Sequence, residues 1–165
     1  MPIRRIEGER NMPTCTWWID EPLVKGSSNP SDNELAGFRA DGFTSGVSLL
    51  NESKQPPRYD KHSAETKGWS IYSIPIKEGR APSLEQIRDF VACISKLAKR
   101  SKVLVFCQSG KGRTACMGAA YWIAKGLTAS QAVVRVSRAC SARDWATPER
   151  RRVLTEYERL DTSKK

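Results

Sequence analysis

Val103-Leu-Val-Phe106 runs directly into Cys107-Gln-Ser-Gly-Lys-Gly-Arg113 and then into Thr114-Ala-Cys-Met-Gly-Ala-Ala-Tyr-Trp-Ile123. The short apolar, β-branched run predicts a buried strand, the small-residue run a tight loop, and the longer apolar stretch a buried helix. Cys107 then stands where a strand gives way to a helix. Backbone N–H groups of such a loop, with the positive end of the helix dipole behind them, make a concavity that binds anions. A thiol held there beside the Arg113 cation is expected as its thiolate. Phosphate is the anion that fits best, because a planar guanidinium can hold two phosphoryl oxygens at once and a lysine point charge does this less well.

Upstream of this run, Ser83 and Gln86 form a capping box, and Leu84, Ile87, Phe90, Val91, Ile94 and Leu97 fall on one face of a helix ending near Arg100. A strand, helix, strand succession implies a right-handed crossover and parallel pairing. Thr16-Trp-Trp-Ile19, Gly46-Val-Ser-Leu-Leu50 and Ser70-Ile-Tyr-Ser-Ile74 read as further strands. Lys25-Gly-Ser-Ser-Asn-Pro30 reads as a loop, Ser31-Asp-Asn-Glu34 as a capping box before a short helix through about Arg39, and 51–67 as a long polar loop. Downstream, helices are expected over roughly 113–125, 129–140 and 148–160, with Thr128 and Gln131 boxing the second start and Thr147-Pro148 marking the third. The class is α/β: a central, mostly parallel sheet flanked by helices, with the C-x5-R loop between the last buried strand and a helix.

The length of 165 residues suits one domain, taken as 15–162 after a polar N-terminal arm of 1–14. The formal charge is +10, and residues 80–125 hold nine Lys or Arg against two Asp or Glu. That excess around the loop favours an anionic substrate by steering. The lysines near the end of the long helix also read as a solvated helix end. No zinc-finger spacing or aromatic-interleaved basic strip points to nucleic acid. Five cysteines, at 15, 93, 107, 116 and 140, are odd in number and lack pairwise spacing, which argues against a disulfide scaffold or a zinc site. Reduced thiols, the lack of an apolar leader and the lack of an 18-residue apolar run lead to the expectation of a soluble, cytoplasmic protein.

A cysteine, five residues and then Arg113-Thr114 resembles the signature of the cysteine-dependent protein tyrosine phosphatases, within them the small dual-specificity branch. Gly126-Leu-Thr-Ala-Ser-Gln-Ala-Val-Val-Arg-Val136 and Thr147-Pro-Glu-Arg-Arg151 resemble the family's later helices, and Ile74-Pro-Ile-Lys-Glu-Gly-Arg-Ala-Pro-Ser83 resembles the segment that ends in its general acid. The resemblance implies a phosphatase-like catalytic domain with Cys107 as nucleophile. It implies that Arg113 and the N–H groups of Gln108, Ser109, Gly110, Lys111 and Gly112 hold the phosphoryl oxygens, and that Thr114 helps the thiolate leave. No metal or other cofactor is then required, since Arg113 and backbone amides stabilise the charge. The family places an aspartate about 30 residues before the cysteine; Glu78, 29 residues before it, occupies that place here, with Asp60 and Asp89 as rivals.

Other positions depart from the pattern. Phe106 stands where many members have a histidine, so the hydrogen bond that orients the loop must come from elsewhere. Lys111 resembles a basic loop residue of phosphoinositide phosphatases, although Gln108 stands where those enzymes carry a second one. Trp145 falls where the family borders its pocket, and core packing is the alternative. Arg150 falls where a glutamine is common, as added charge beside the pocket or as a helix-surface arginine. A P-loop nucleotidase is excluded because Gly112-Arg113-Thr114 lacks the required Lys before Thr, and His62, the single histidine, sits in a polar stretch that suits no cysteine protease. The expected activity is hydrolysis of phosphate monoesters through a phosphocysteine, with a phosphoprotein as partner. The alternatives are a phosphoinositide or other non-protein phosphate ester, or a weakly catalytic phosphate-binding module.

Overall fold

The computed structural model describes residues 15–162, and the arm expected over 1–14 lies outside the described residues. Strands β1 (Thr16–Asp20), β2 (Val24–Ser27), β3 (Phe43–Ser48), β4 (Ser70–Ser73) and β5 (Lys102–Phe106) form one sheet in the order β1-β2-β5-β3-β4. β5 pairs in parallel with β2 and with β3, β3 pairs in parallel with β4, and β1 runs antiparallel to β2. The helices are α1 (Asp32–Ala40), α2 (Lys61–Thr66), α3 (Leu84–Leu97), α4 (Gly112–Ala124), α5 (Ala129–Cys140) and α6 (Pro148–Thr162). This is the expected α/β class with a mostly parallel, helix-flanked sheet.

β5 is buried on both faces, and its side chains alternate between two cores. Val103, Val105 and Cys107 join the larger core with Ile87, Phe90 and Ile94 of α3 and Ala115, Cys116, Met117, Ala119 and Ala120 of α4. Leu104 and Phe106 join the smaller one with Leu35 and Phe38 of α1, Tyr59, Ala64 of α2 and Trp69. The period of two therefore decides that Cys107 faces α4 while Phe106 faces the opposite layer. Each large side chain fully buried in these cores contributes about 1.5–3 kcal/mol.

Capping boxes form at Ser31–Glu34, Ser83–Gln86 and Thr128–Gln131, where the sequence places them. Two stretches expected as loops carry structure. Within 25–30, Lys25, Gly26 and Ser27 belong to β2, in register with Leu104, Val105 and Phe106 of β5. Its Lys-Gly-Ser composition has little strand propensity; pairing with β5 on one side and β1 on the other overrides it. Within 51–67, α2 forms with Asp60 as N-cap, accepting from the Ser63 N–H at 3.3 Å, too short a helix for periodicity to reveal. Smaller shifts move β3 earlier than Gly46–Leu50 and end α3 at Leu97 rather than near Arg100.

Gly26 shows how tightly β2 is set. A Cβ there would stand 2.9 Å from Trp17 Cε2 and 3.0 Å from Thr114 Cγ2. Gly26→Val should therefore destabilise the fold by about 1–3 kcal/mol through overpacking, read as a lower urea midpoint. An unchanged midpoint would show that Trp17 and Thr114 yield freely.

Candidate active site

β5 stops at Phe106 and α4 starts at Gly112, so 107–111 make the turn between them. Lys111 sits at the N-cap of α4 without a side-chain cap, which leaves the first helical N–H groups available to an outside acceptor. Cys107 is 1% exposed and Thr114 is fully buried; the Thr114 hydroxyl donates to Cys107 Sγ at 3.0 Å. Gln108 and Ser109 are exposed at the mouth of the turn, while Lys111 and Gly112 are half-buried.

Two guanidinium groups are buried behind this turn. Arg113 donates from Nη1 to Ile76 O at 2.9 Å and lies 3.5 Å from Leu49 O. Arg150 donates from Nη1 to Trp145 O at 2.9 Å, and its Nε has no partner. Arg150 packs on the loop: a Cβ on Gly112 would lie 3.0 Å from Arg150 Nη2. Neither arginine forms an ion pair among the described residues. A buried cation without a carboxylate is costly, and the loop beside both is where an anion would offset that cost.

The turn is held from a distance. Trp17 on β1 donates its indole N–H to Gly110 O at 2.7 Å. Asn29 donates its backbone N–H to Gln108 O at 3.1 Å and its side-chain amide to Gln108 Oε1 at 3.1 Å. These bonds tie down a loop that Phe106 cannot orient; Phe106 is fully buried edge-on against Tyr59, with ring centroids 5.9 Å apart. Sequence reasoning missed Trp17 and Asn29. Trp17 lies 93 residues from its acceptor, and nothing local marks it.

Glu78 is exposed on the segment between β4 and α3, beside Gly79, whose φ is +78°. That segment is anchored at several points. Ile76 O accepts from Arg113, Pro75 O accepts from Gln86 Nε2 at 2.7 Å, and Glu149 accepts from the Ala81 N–H at 2.6 Å and from Arg80 Nε at 3.1 Å. The Arg80 hydrogen bond and then the Ala81 N–H hold the Glu149 carboxyl below the usual carboxylate range, so this tie is intact at neutral pH. Glu149 was likewise not singled out from the sequence. Its position in the first turn of α6 gave no sign of a partner 68 residues away.

The rival acids are placed otherwise. Asp60 caps α2, and Asp89 is exposed on α3. His62 is exposed on α2. Trp145, 3% exposed, is packed in the larger core and donates its indole N–H to Ser137 Oγ at 3.0 Å, so its contribution here is the carbonyl that holds Arg150. All five cysteines are free. Burial pushes the Cys116 thiol up to about 12 and raises those of Cys93 and Cys140, which keeps these three protonated. Among the described residues no group of three or more His, Cys, Asp or Glu is placed to hold a metal ion.

A thiol at the end of a buried parallel strand, an arginine in the first turn of the following helix and a five-residue turn between them define a protein-tyrosine-phosphatase-type domain. The chain belongs to the family described as a DSP-PTPase phosphatase fused to NAD+ kinase, which matches residues 18–153. It is 28% identical over 82 residues to a tyrosine-protein phosphatase CDC14 homolog of Schizosaccharomyces pombe; the match takes in 50% of this chain and 15% of that protein's length. The crystal structure of Tk-PTP in the active form is similar over 88% of this chain and 97% of that one, with 30% identity and a TM-score of 0.77. PTPMT1 in complex with PI(5)P shares the fold at 18% identity, with a TM-score of 0.79 over 91% and 98% of the two chains.

Gly110 is the backbone position on which the turn depends. Its φ is +82°, and a Cβ would stand 2.5 Å from Ser28 N. Gly110→Ala should displace the loop and weaken vanadate binding by about tenfold or more, since such strain costs on the order of 1–3 kcal/mol. Inhibition titrations measure this; unchanged affinity would mean that the loop binds anions without this geometry.

Proposed function

We propose that the chain hydrolyses phosphate monoesters through a phosphocysteine intermediate, with phosphotyrosine or mixed phosphoprotein residues as substrate. The observation that carries this reading is the Thr114 hydroxyl 3.0 Å from Cys107 Sγ in a turn backed by a buried Arg113 that has no ion-pair partner among the described residues. The phosphoryl group enters the cradle with its equatorial oxygens on Arg113 and on the loop N–H groups. Cys107 Sγ attacks phosphorus in line, the ester oxygen departs, and Glu78 supplies its proton. Water then gives a proton to the Glu78 carboxylate as it attacks the phosphocysteine, the sulfur leaves as thiolate, and the Thr114 hydroxyl stabilises the charge that returns to it. The tie from Arg113 to Ile76 O supports Glu78 in the acid role, because it couples the segment that carries Glu78 to the arginine that holds the phosphate.

Free thiols throughout suit a reducing, cytoplasmic setting, which is part of the proposal. No helix among the described residues is long and apolar enough to cross a membrane. A second reading, a non-protein phosphate ester, is favoured by half-buried Lys111 inside the loop and by the NAD+ kinase named in the family description. A panel of phosphotyrosine and phosphoserine peptides, phosphoinositides and NADP+ ranks the two.

Cys107→Ser should lower kcat on an aryl phosphate by about 10⁴-fold or more while inorganic phosphate still binds. Retained turnover would remove Cys107 from the nucleophile role. Glu78→Gln should lower kcat by about 10²-fold on esters of poor leaving groups, far less on p-nitrophenyl phosphate, and should alter the acidic-to-neutral limb of the pH profile. A profile identical to that of the unsubstituted protein would place the proton donor elsewhere.

A further inference from the structure

The end of α5 and the start of α6 frame a second concavity, a groove of about 690 Å³. Its charged lining is Arg138, Arg143 and Arg151, its hydroxyls are Ser137 and Ser141, and its apolar lining includes Val134, which is 50% exposed. No carboxylate lines it; the exposed Asp144 lies outside the lining. Arg138 and Arg143 are exposed, and their guanidinium groups form no ion pair or hydrogen bond among the described residues. Arg151 uses only Nε, donating to Ala146 O at 2.9 Å. Ser137 Oγ accepts from Trp145, which leaves its O–H free to donate. Ser141 ends α5 at the groove as its left-handed C-cap, with φ +55° and its N–H donated to Ser137 O.

The groove is joined to the phosphate site by one run of contacts. Ser137 on its wall bonds the Trp145 indole, the Trp145 carbonyl holds Arg150, and Arg150 packs on Gly112 of the loop. We propose that this groove docks an acidic stretch of polypeptide, presented beside the residue whose phosphate enters the loop. The substrate half of that statement rests on the phosphoprotein reading above. Guanidinium forks bind carboxylates in bidentate fashion, and three of them in a concavity without a counter-charge focus an attractive field on an anionic partner. Val134 gives such a segment an apolar anchor. No aromatic ring lines the groove, so it lacks the stacking platforms on which nucleic-acid sites rely.

The test uses the full chain and the double variant Arg138→Ala/Arg143→Ala, whose p-nitrophenyl phosphate turnover should be unchanged. In fluorescence anisotropy, an unphosphorylated peptide with a run of Glu and one Leu should bind about tenfold or more tighter than its Gln counterpart, and the variant should lose that margin. Equal binding of the two peptides, a margin the variant keeps, or displacement of the acidic peptide by an oligothymidylate in preference to the Gln peptide would overturn the groove. In kinetics, kcat/KM on phosphotyrosine peptides should favour acidic over neutral flanks, and that ratio should fall towards one in the variant. A ratio unaffected by the substitutions would overturn the substrate role even if the peptide binds. Absence of turnover on every phosphopeptide, with the anisotropy result intact, would instead sink the phosphoprotein reading and leave the acidic-segment site standing.

Discussion

Burying β5 on both faces leaves each of its residues a choice of two layers, and the strict alternation of a strand makes that choice for all of them together. Phe106 goes to the layer of α1 and α2, so Cys107 must go to the layer of α4. The chain then has five residues, 107–111, in which to turn from strand to helix. Gly110 accommodates the turn with a positive φ and with close approach to Ser28, just past the end of β2. A slip of one residue in β5 would bury the thiol under Tyr59 and point Phe106 at Arg113. The functional geometry is thus secured by the same burial that holds the sheet together.

Charge is the second element of the design, and it runs against the ordinary rule that buried cations have partners. Arg113 and Arg150 are both buried, both held by backbone carbonyls, and both without an ion pair among the described residues. Carbonyl acceptors fix where a guanidinium points while leaving its net charge uncancelled, which is the charge the proposed phosphoryl group would offset. The same Arg113 contact reaches the segment that carries Glu78, and Glu149 fastens the far side of that segment to α6. The proposed nucleophile and acid, which arrive on different elements, are therefore tied to one framework. The open groove past Trp145, proposed above to dock an acidic segment, extends the positive surface away from the loop.

What could be read along the chain was whatever local chemistry encodes. The three capping boxes, the apolar face of α3, the continuous apolar run of β5 and the spacing from Cys107 to Arg113 are short-range patterns, and each corresponds to the element found. β2 and α2 were not legible. Gly26-Ser27 has no strand propensity and is extended because β1 and β5 pair with it, and α2 is a helix of one and a half turns started by Asp60. Likewise the sequence alone determined that a thiol, an arginine and a glycine-rich turn come together, since all lie within a few residues of each other. Only the tertiary structure decided what holds that turn, in the Trp17 indole and in Asn29, and that Trp145 packs inward while Arg150 sits buried against Gly112. The physical reason is one of range: caps, periodicity and loop chemistry act between near neighbours, whereas supports that span tens of residues exist only once the sheet has brought β1, β2 and α6 around the end of β5.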